Sequence, residues 1–211
     1  MAEIIILANS RKLSHRCVAG ISTRTGRWIR PVSDRPDRAI TWRMREVDGK
    51  EPQLLDVLRI PLERTGPDEG CQPENRLLRD GKWRLRSKLQ PSDVLRYCES
   101  GGHLFYNTGD CVAWDELQRL PSEARRSLQL IRCSRTIFYR TTSSRGKRQA
   151  RVRFSYGRVE YDLVVTDLIA EEKVYEGTSI GSKCLLTISL AGKVSERYPY
   201  CYKLVAGVIE L

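Results

Sequence analysis

Long apolar runs are missing from this sequence. The longest uninterrupted aliphatic stretch is Ile4 to Ala8, well short of the roughly 20 residues that cross a bilayer or the roughly 7 to 15 of a signal-peptide core. That argues against a spanning helix and a secretory leader, and points to a cytoplasmic protein with no membrane partner. Metal-ligand spacing is missing as well. The seven cysteines, at 17, 71, 98, 111, 133, 184 and 201, are odd in number and include no CxxC pair, and the histidines are only His15 and His103. No zinc site is expected, and in a reducing compartment the thiols should be free, most of them packed as small core hydrophobes. Glycine motifs of the phosphate-loop and dinucleotide type are also absent, so no nucleotide cofactor is expected. Asp56, Glu74 and Asp167 are too dispersed to suggest a metal nuclease.

Acidic residues are absent from one long stretch. The chain of 211 residues carries a formal net charge of +11, yet between Glu123 and Glu160 there is no Asp or Glu. Eleven of the 37 basic residues fall there, leaving 26 against 26 acidic ones, so the rest of the chain is neutral. Ten of the eleven are arginines, whose planar fork pairs with two phosphate oxygens and stacks on bases. Phe138, Tyr139, Phe154 and Tyr156 are interleaved with them and offer stacking platforms for unpaired bases. This is the pattern of a nucleic-acid-binding surface, with Arg140, Arg145, Lys147, Arg148, Arg151 and Arg153 as its candidate contacts.

Part of that charge has a structural explanation. Val152, Phe154 and Tyr156 alternate with Arg151, Arg153 and Ser155; after a turn at Gly157, Val159, Tyr161, Leu163 and Val165 alternate with Glu160 and Asp162. This predicts a hairpin with one core face, Arg151 and Arg153 pairing with Glu160 and Asp162, and Phe154 and Tyr161 packing inward. The polar, basic loop 141–148 should be a hairpin tip rimming a groove.

Elsewhere, strands are predicted at Ile4 to Ala8, Arg16 to Ser22, Arg27 to Val32, Leu54 to Pro61, Leu128 to Arg132, Lys183 to Ser189 and Tyr202 to Leu211. Between them, 63–109 is broken by Pro and Gly, with short helices at Ser92 to Cys98, at Ala113 to Leu120 and after Ser122. The two ends echo each other: Leu7-Ala8, Lys12 to Arg16 and Val18-Ala19-Gly20-Ile21 parallel Leu190-Ala191, Lys193 to Arg197 and Val205-Ala206-Gly207-Val208, as a duplicated unit would. The expected architecture is mainly β with a few short helices: two small OB-like β-barrels, over 1–62 and 123–211, joined by an irregular, loop-rich segment, 63–122.

Several blocks together resemble a known family. They are Ser10-Arg11-Lys12 followed by Arg16-Cys17-Val18-Ala19-Gly20, then Trp28-Ile29-Arg30-Pro31-Val32-Ser33 and Gln72-Pro73-Glu74-Asn75. Ser127-Leu128, the Phe154-to-Tyr161 hairpin, Ser189-Leu190 and Tyr202-Lys203-Leu204-Val205-Ala206-Gly207 continue the match. The chain resembles the prokaryotic dual-OB-containing domain proteins across nearly its whole length, departing from them around His15 and at Gly192 to Tyr198. The resemblance implies two oligonucleotide-binding-type barrels and binding of single-stranded DNA or RNA with little sequence preference, often beside bacterial defence functions. On that basis Arg11, Lys12, Arg16, Trp28 and Arg30 form a candidate contact set in the first barrel, and Lys203 joins the second. Trp28 has an equally good structural reading as a core anchor.

Two other classes of function stay open. An enzyme acting on nucleic acid or nucleotides would use Ser10 with Lys12, or Cys17 with His15, although neither pair brings an evident third group to orient it. A protein-interaction adaptor would dock an acidic partner on the arginine stretch.

Overall fold

The computed structural model describes residues 1–211 apart from Leu13 and Arg145. The first sheet is built on β1 (Ala2–Lys12), β2 (His15–Ser22), β3 (Trp28–Val32), β4 (Asp56–Ile60), β5 (Asn75–Leu77) and β6 (Arg84–Lys88), in the spatial order β5-β3-β2-β1-β4-β6. The second uses β8 (Leu128–Cys133), β9 (Thr136–Thr142), β10 (Arg148–Tyr156), β11 (Val159–Val165), β12 (Cys184–Leu190) and β13 (Tyr200–Glu210) in the order β8-β12-β13-β11-β10-β9, and β7 (Cys111–Ala113) pairs with β13. The strand paths do not return to their starting edges among the described residues. Past β4, however, the chain pairs with β5, the Glu63 N–H donating to the Leu77 carbonyl and the Leu77 N–H to the Thr65 carbonyl, so the first sheet curls toward the OB-like unit that was expected. Short helices complete it: α1 (Trp42–Arg45), α2 (Trp114–Arg119), α3 (Leu168–Glu176) and single 3-10 turns at Pro91–Tyr97 and Ser122–Ala124. Among the described residues no helix is long and apolar enough to cross a membrane.

The one long apolar run has a clear cause. Ile4 and Ile6 pack into the core of the first sheet with Val18, Ile40, Leu58, Ile60 and Trp83. Ile5 and Leu7 point the other way, into a cluster with Leu130, Leu185 and Ile209 of the second sheet. A strand buried on both faces loses the polar alternation of a half-exposed one. β1 is therefore shared by two cores, and the sheets meet along a seam.

The echo between the chain ends acquires a physical basis at that seam. Each copy is an antiparallel hairpin, β1–β2 or β12–β13, interrupted by a register shift between Ile6 and Ala8 in one and between Thr187 and Ile188 in the other. Three alanines, Ala8, Ala19 and Ala206, cluster with Leu128 where the hairpins cross. A Cβ on Gly207 would lie 2.1 Å from the Leu7 carbonyl oxygen, so only glycine permits the approach. The Leu7 carbonyl then accepts a hydrogen bond from Thr187 Oγ1 at 2.6 Å.

The 63–122 stretch contributes more than loops and short helices, because β5 and β6 complete the first sheet and β7 extends the second. These strands are three to five residues long and take their conformation from the edges they pair with rather than from their own pattern. Hydrophobic patterning also gives no sign of α3, in which only Ala170 and Val174 are buried. Its ends carry the signal instead: the Asp167 carboxylate accepts from the Ala170 N–H, and Gly177 closes the helix at φ 77°.

Candidate nucleic-acid interface

The β10–β11 hairpin forms with the register that its alternation dictates, Phe154 opposite Tyr161 and Arg153 opposite Asp162. Phe154 and Tyr161 are buried and stack at 5.7 Å between ring centroids. Asp162 serves both arginines, accepting from Arg151 Nε at 2.9 Å and lying 3.6 Å from Arg153 Nη2. It also accepts from the Tyr139 hydroxyl. Partial burial pushes the Asp162 carboxyl up, but Tyr139 and Arg151 outweigh it and hold the group below the usual carboxylate range. Tyr139 is pushed the other way by its own burial and by the carboxylate it donates to.

Register decides which cations share a face, because directly paired residues lie on the same side of a sheet. Tyr139 pairs with Arg151, and Thr141 with Gln149, on the face away from the core. Arg140 pairs with the buried Ala150, and Arg148 with Thr142, on the side that α3 covers; there the Arg148 guanidinium sits 4.7 Å from the Tyr175 ring centroid. The arginine stretch is thus split between two surfaces. Arg145 lies outside the described residues, and its neighbour Lys147 is exposed at the tip. The tip is held by Ser143, which accepts the Lys147 N–H on its Oγ and the Gly146 N–H on its carbonyl. Arg140, Lys147 and Arg148 are exposed, and none has a carboxylate at ion-pair distance among the described residues.

On the outward face lies an open groove of about 780 Å³. Tyr139, Thr141, Gln149 and Arg151 form its floor on one side, Tyr202 and Leu204 of β13 on the other, and Ser143 and Ser144 of the tip line one end. Tyr202, Tyr200 and Tyr198 are 44%, 42% and 52% exposed. Tyr202 and Tyr200 alternate on one face of β13, two residues apart. Neither tyrosine was singled out from the sequence, although the Tyr-x-Tyr spacing on a strand was a readable signal. The groove also holds Asp110 and Asp162, so its charge is mixed.

Lys203 is among the residues that line the groove, but its ammonium is not free there. It alternates inward with Cys201 and Val205, is 2% exposed, and donates from Nζ to the Asn107 carbonyl at 2.7 Å, Asn107 Oδ1 at 3.0 Å and the Gly109 carbonyl at 2.6 Å. Burial pushes its ammonium down to about 8.

The N-terminal set is dispersed around the seam. Arg11 is ion-paired with Glu171 of α3 at 2.6 Å. Arg16 is half-buried, 3.7 Å from Glu51; burial pushes its guanidinium down and Glu51 opposes this. Trp28 packs against both seam clusters, as a core anchor does. Arg30 is 1% exposed; its Nη2 donates to Ser189 Oγ at 3.2 Å, while Nε and Nη1 have no partner. Arg11, Lys12 and Arg30, together with Ser10, Cys17 and Gln72, line a small cavity of about 120 Å³ whose far wall comes from the second sheet. This cavity adjoins the groove, sharing Ala191 and Leu204 as walls. For the catalytic alternative, Ser10 and Lys12 do share a cavity with Cys17, but the Ser10 hydroxyl donates to the Cys17 carbonyl at 3.4 Å.

No curated protein and no solved structure matches the chain. A family model described as a dual OB-containing domain matches residues 2–208, which include every block on which the resemblance rests. Oligonucleotide-type folds make nucleic-acid binding the coarse functional expectation. With two β sheets meeting along one seam and the match spanning nearly its full length, the chain belongs to the dual OB-containing domain family.

Proposed function

We propose that the protein binds single-stranded DNA or RNA with little sequence preference, along the groove on the outward face of the second sheet. The observation that carries this reading is the placement of Tyr139 and Tyr202 in one groove with Arg151, beside a tip bearing Lys147. Exposed tyrosines stack any base, and flanking cations hold the backbone, so such a surface reads strand rather than sequence. Its shape favours an unpaired strand, whose bases turn onto the rings, over a duplex, whose bases are hidden. Because Asp162 already occupies Arg151 and Arg153, stacking carries more of the affinity here than the charge total suggests. A cytoplasmic setting and a role beside bacterial defence fit this activity.

Fluorescence anisotropy with labelled single- and double-stranded DNA and RNA tests the reading. Tyr139→Ala and Tyr202→Ala should each weaken single-strand binding by about 1–3 kcal/mol, while Lys147→Ala should lower the salt slope by about 1. Absence of binding to every probe at low salt would sink it. An adaptor function would instead leave both tyrosine variants unaffected in nucleic-acid assays and require an acidic protein partner to be captured through Arg140 and Arg148.

A further inference from the structure

The seam cavity holds a charge that the fold leaves uncompensated. Arg30 is almost completely buried, and of its guanidinium nitrogens only Nη2 has a partner, the neutral Ser189 hydroxyl. Glu74, the buried acidic residue whose carbonyl accepts the Arg30 N–H, accepts on its carboxylate the Ser127 N–H at one oxygen and the Ser127 hydroxyl at the other. Arg30 enters no ion pair among the described residues. A buried, unpaired guanidinium is strongly unfavourable, and natural structures satisfy such groups with a counter-charge. The cavity wall adds Arg11 and Lys12, with Ser10, Ser189 and Gln72 as neutral polar groups, and contains no carboxylate. Arg11 is shared with Glu171, whereas Lys12 has no carboxylate at ion-pair distance among the described residues.

We infer that this cavity is a binding site for a terminal phosphoryl group, with Arg30 at its base and Lys12 at its mouth. Size and charge both select this ligand. A space of about 120 Å³ admits one tetrahedral oxyanion but not a backbone phosphodiester, which must continue as chain on both sides. An end group also brings a second negative charge, suited to two cations. Arginine is the side chain that best matches phosphate oxygens with a planar set of donors. The source of the phosphoryl group rests on the proposed function: the cavity shares Ala191 and Leu204 with the groove, so a strand lying there can deliver its phosphorylated end. The same chemistry would admit free phosphate.

Two measurements on the full chain test the site and separate the sources. In phosphate-free buffer, added inorganic phosphate should raise the melting temperature saturably, and Arg30→Lys and Lys12→Ala should each weaken that binding roughly tenfold or more. Lys12 is only half-buried, so Lys12→Ala keeps the test valid should the Arg30 variant fold poorly. Oligonucleotides of one sequence bearing a 5′-phosphate, a 3′-phosphate or neither are then compared by anisotropy, and one phosphorylated end should bind roughly tenfold or more tightly than the unphosphorylated strand. A response to inorganic phosphate that Lys12→Ala weakens, without any end preference, supports the site and assigns it to free phosphate. Strand binding indifferent to the end group, together with no response to inorganic phosphate, overturns the site and leaves the groove reading standing. Phosphate binding without binding of any strand supports the site and overturns the groove reading.

Discussion

Lys203 and Arg30 are the two largest fully buried side chains among the described residues, and they sit in regions of opposite character. Around Lys203, beneath the second sheet, the Nζ donates three times, tying β13 to the 107–109 turn, and the Tyr161 ring lies 5.4 Å from the charge. Around Arg30, at the seam, one donor is used and two nitrogens are left over, in the wall of a cavity. Both residues stand in strands next to hydrophobic neighbours, so burial alone does not separate them. What separates them is the accounting of protons: a cation with every proton placed is part of the framework, and one with protons to spare is arranged for something that arrives.

The largest effect should come from removing the placed cation. Lys203→Met keeps the length and the apolar stem but leaves the Asn107 and Gly109 carbonyls without their donor, and should cost about 3–5 kcal/mol in chemical denaturation. The pH dependence provides a second check. The ammonium titrates near 8 in the folded protein and at its ordinary 10.5 when unfolded. Between those values the unfolded chain binds more protons, and the group therefore adds stability as pH rises. The gap between wild type and Lys203→Met should be flat below pH 8 and widen from about 8 to 10.5. A gap that narrows there would show that the ammonium is better held than its burial implies.

Next in size is a change at the seam itself. Gly207→Ala places a methyl group 2.1 Å from the Leu7 carbonyl oxygen and 3.3 Å from the Ala8 Cα. Neither is the end of a flexible side chain, so the strands must separate. The expected loss is about 3 kcal/mol, with loss of any phosphate response because the cavity walls belong to both sheets. A variant as stable as wild type would mean that the sheets can slide apart freely, and the cavity would then not be a built site.

The contrast also marks what was legible in the sequence. Elements whose pattern is internal could be read: the β10–β11 hairpin with its Phe154–Tyr161 core pair, the turn at Gly157, the strand at Ile4 to Ala8 and the helix at Trp114. The echo of Val18-Ala19-Gly20 in Val205-Ala206-Gly207 was legible as a repeat, but its cause, two hairpins crossing at small residues, required the fold. Lys203, which entered through the resemblance, does line the groove, while Cys201 and Val205 on the same side of β13 already indicated that its side chain turns inward. Arg30 shares a strand face with Trp28, an equivalent hint. The short strands β5, β6 and β7 and the split of the arginines between two surfaces depend on partners far away in the chain, and local periodicity carries no record of these.

The smallest effect distinguishes the two cations most sharply. Arg30→Met removes the Ser189 hydrogen bond, worth about 1 kcal/mol, but also removes the burden of a buried charge with two unpartnered nitrogens. These contributions oppose each other, so in phosphate-free buffer the variant should lie within about 1 kcal/mol of wild type, on either side. Its stability should then be indifferent to added phosphate, where wild type gains in proportion to the logarithm of ligand concentration above its Kd. A loss as large as that of Lys203→Met would show that Arg30 is satisfied by the framework after all, through a bridging water for instance, and the distinction between the two buried cations would collapse. The expected near-silence of Arg30→Met without ligand, set against its full effect with ligand, is what an arginine reserved for an incoming anion requires.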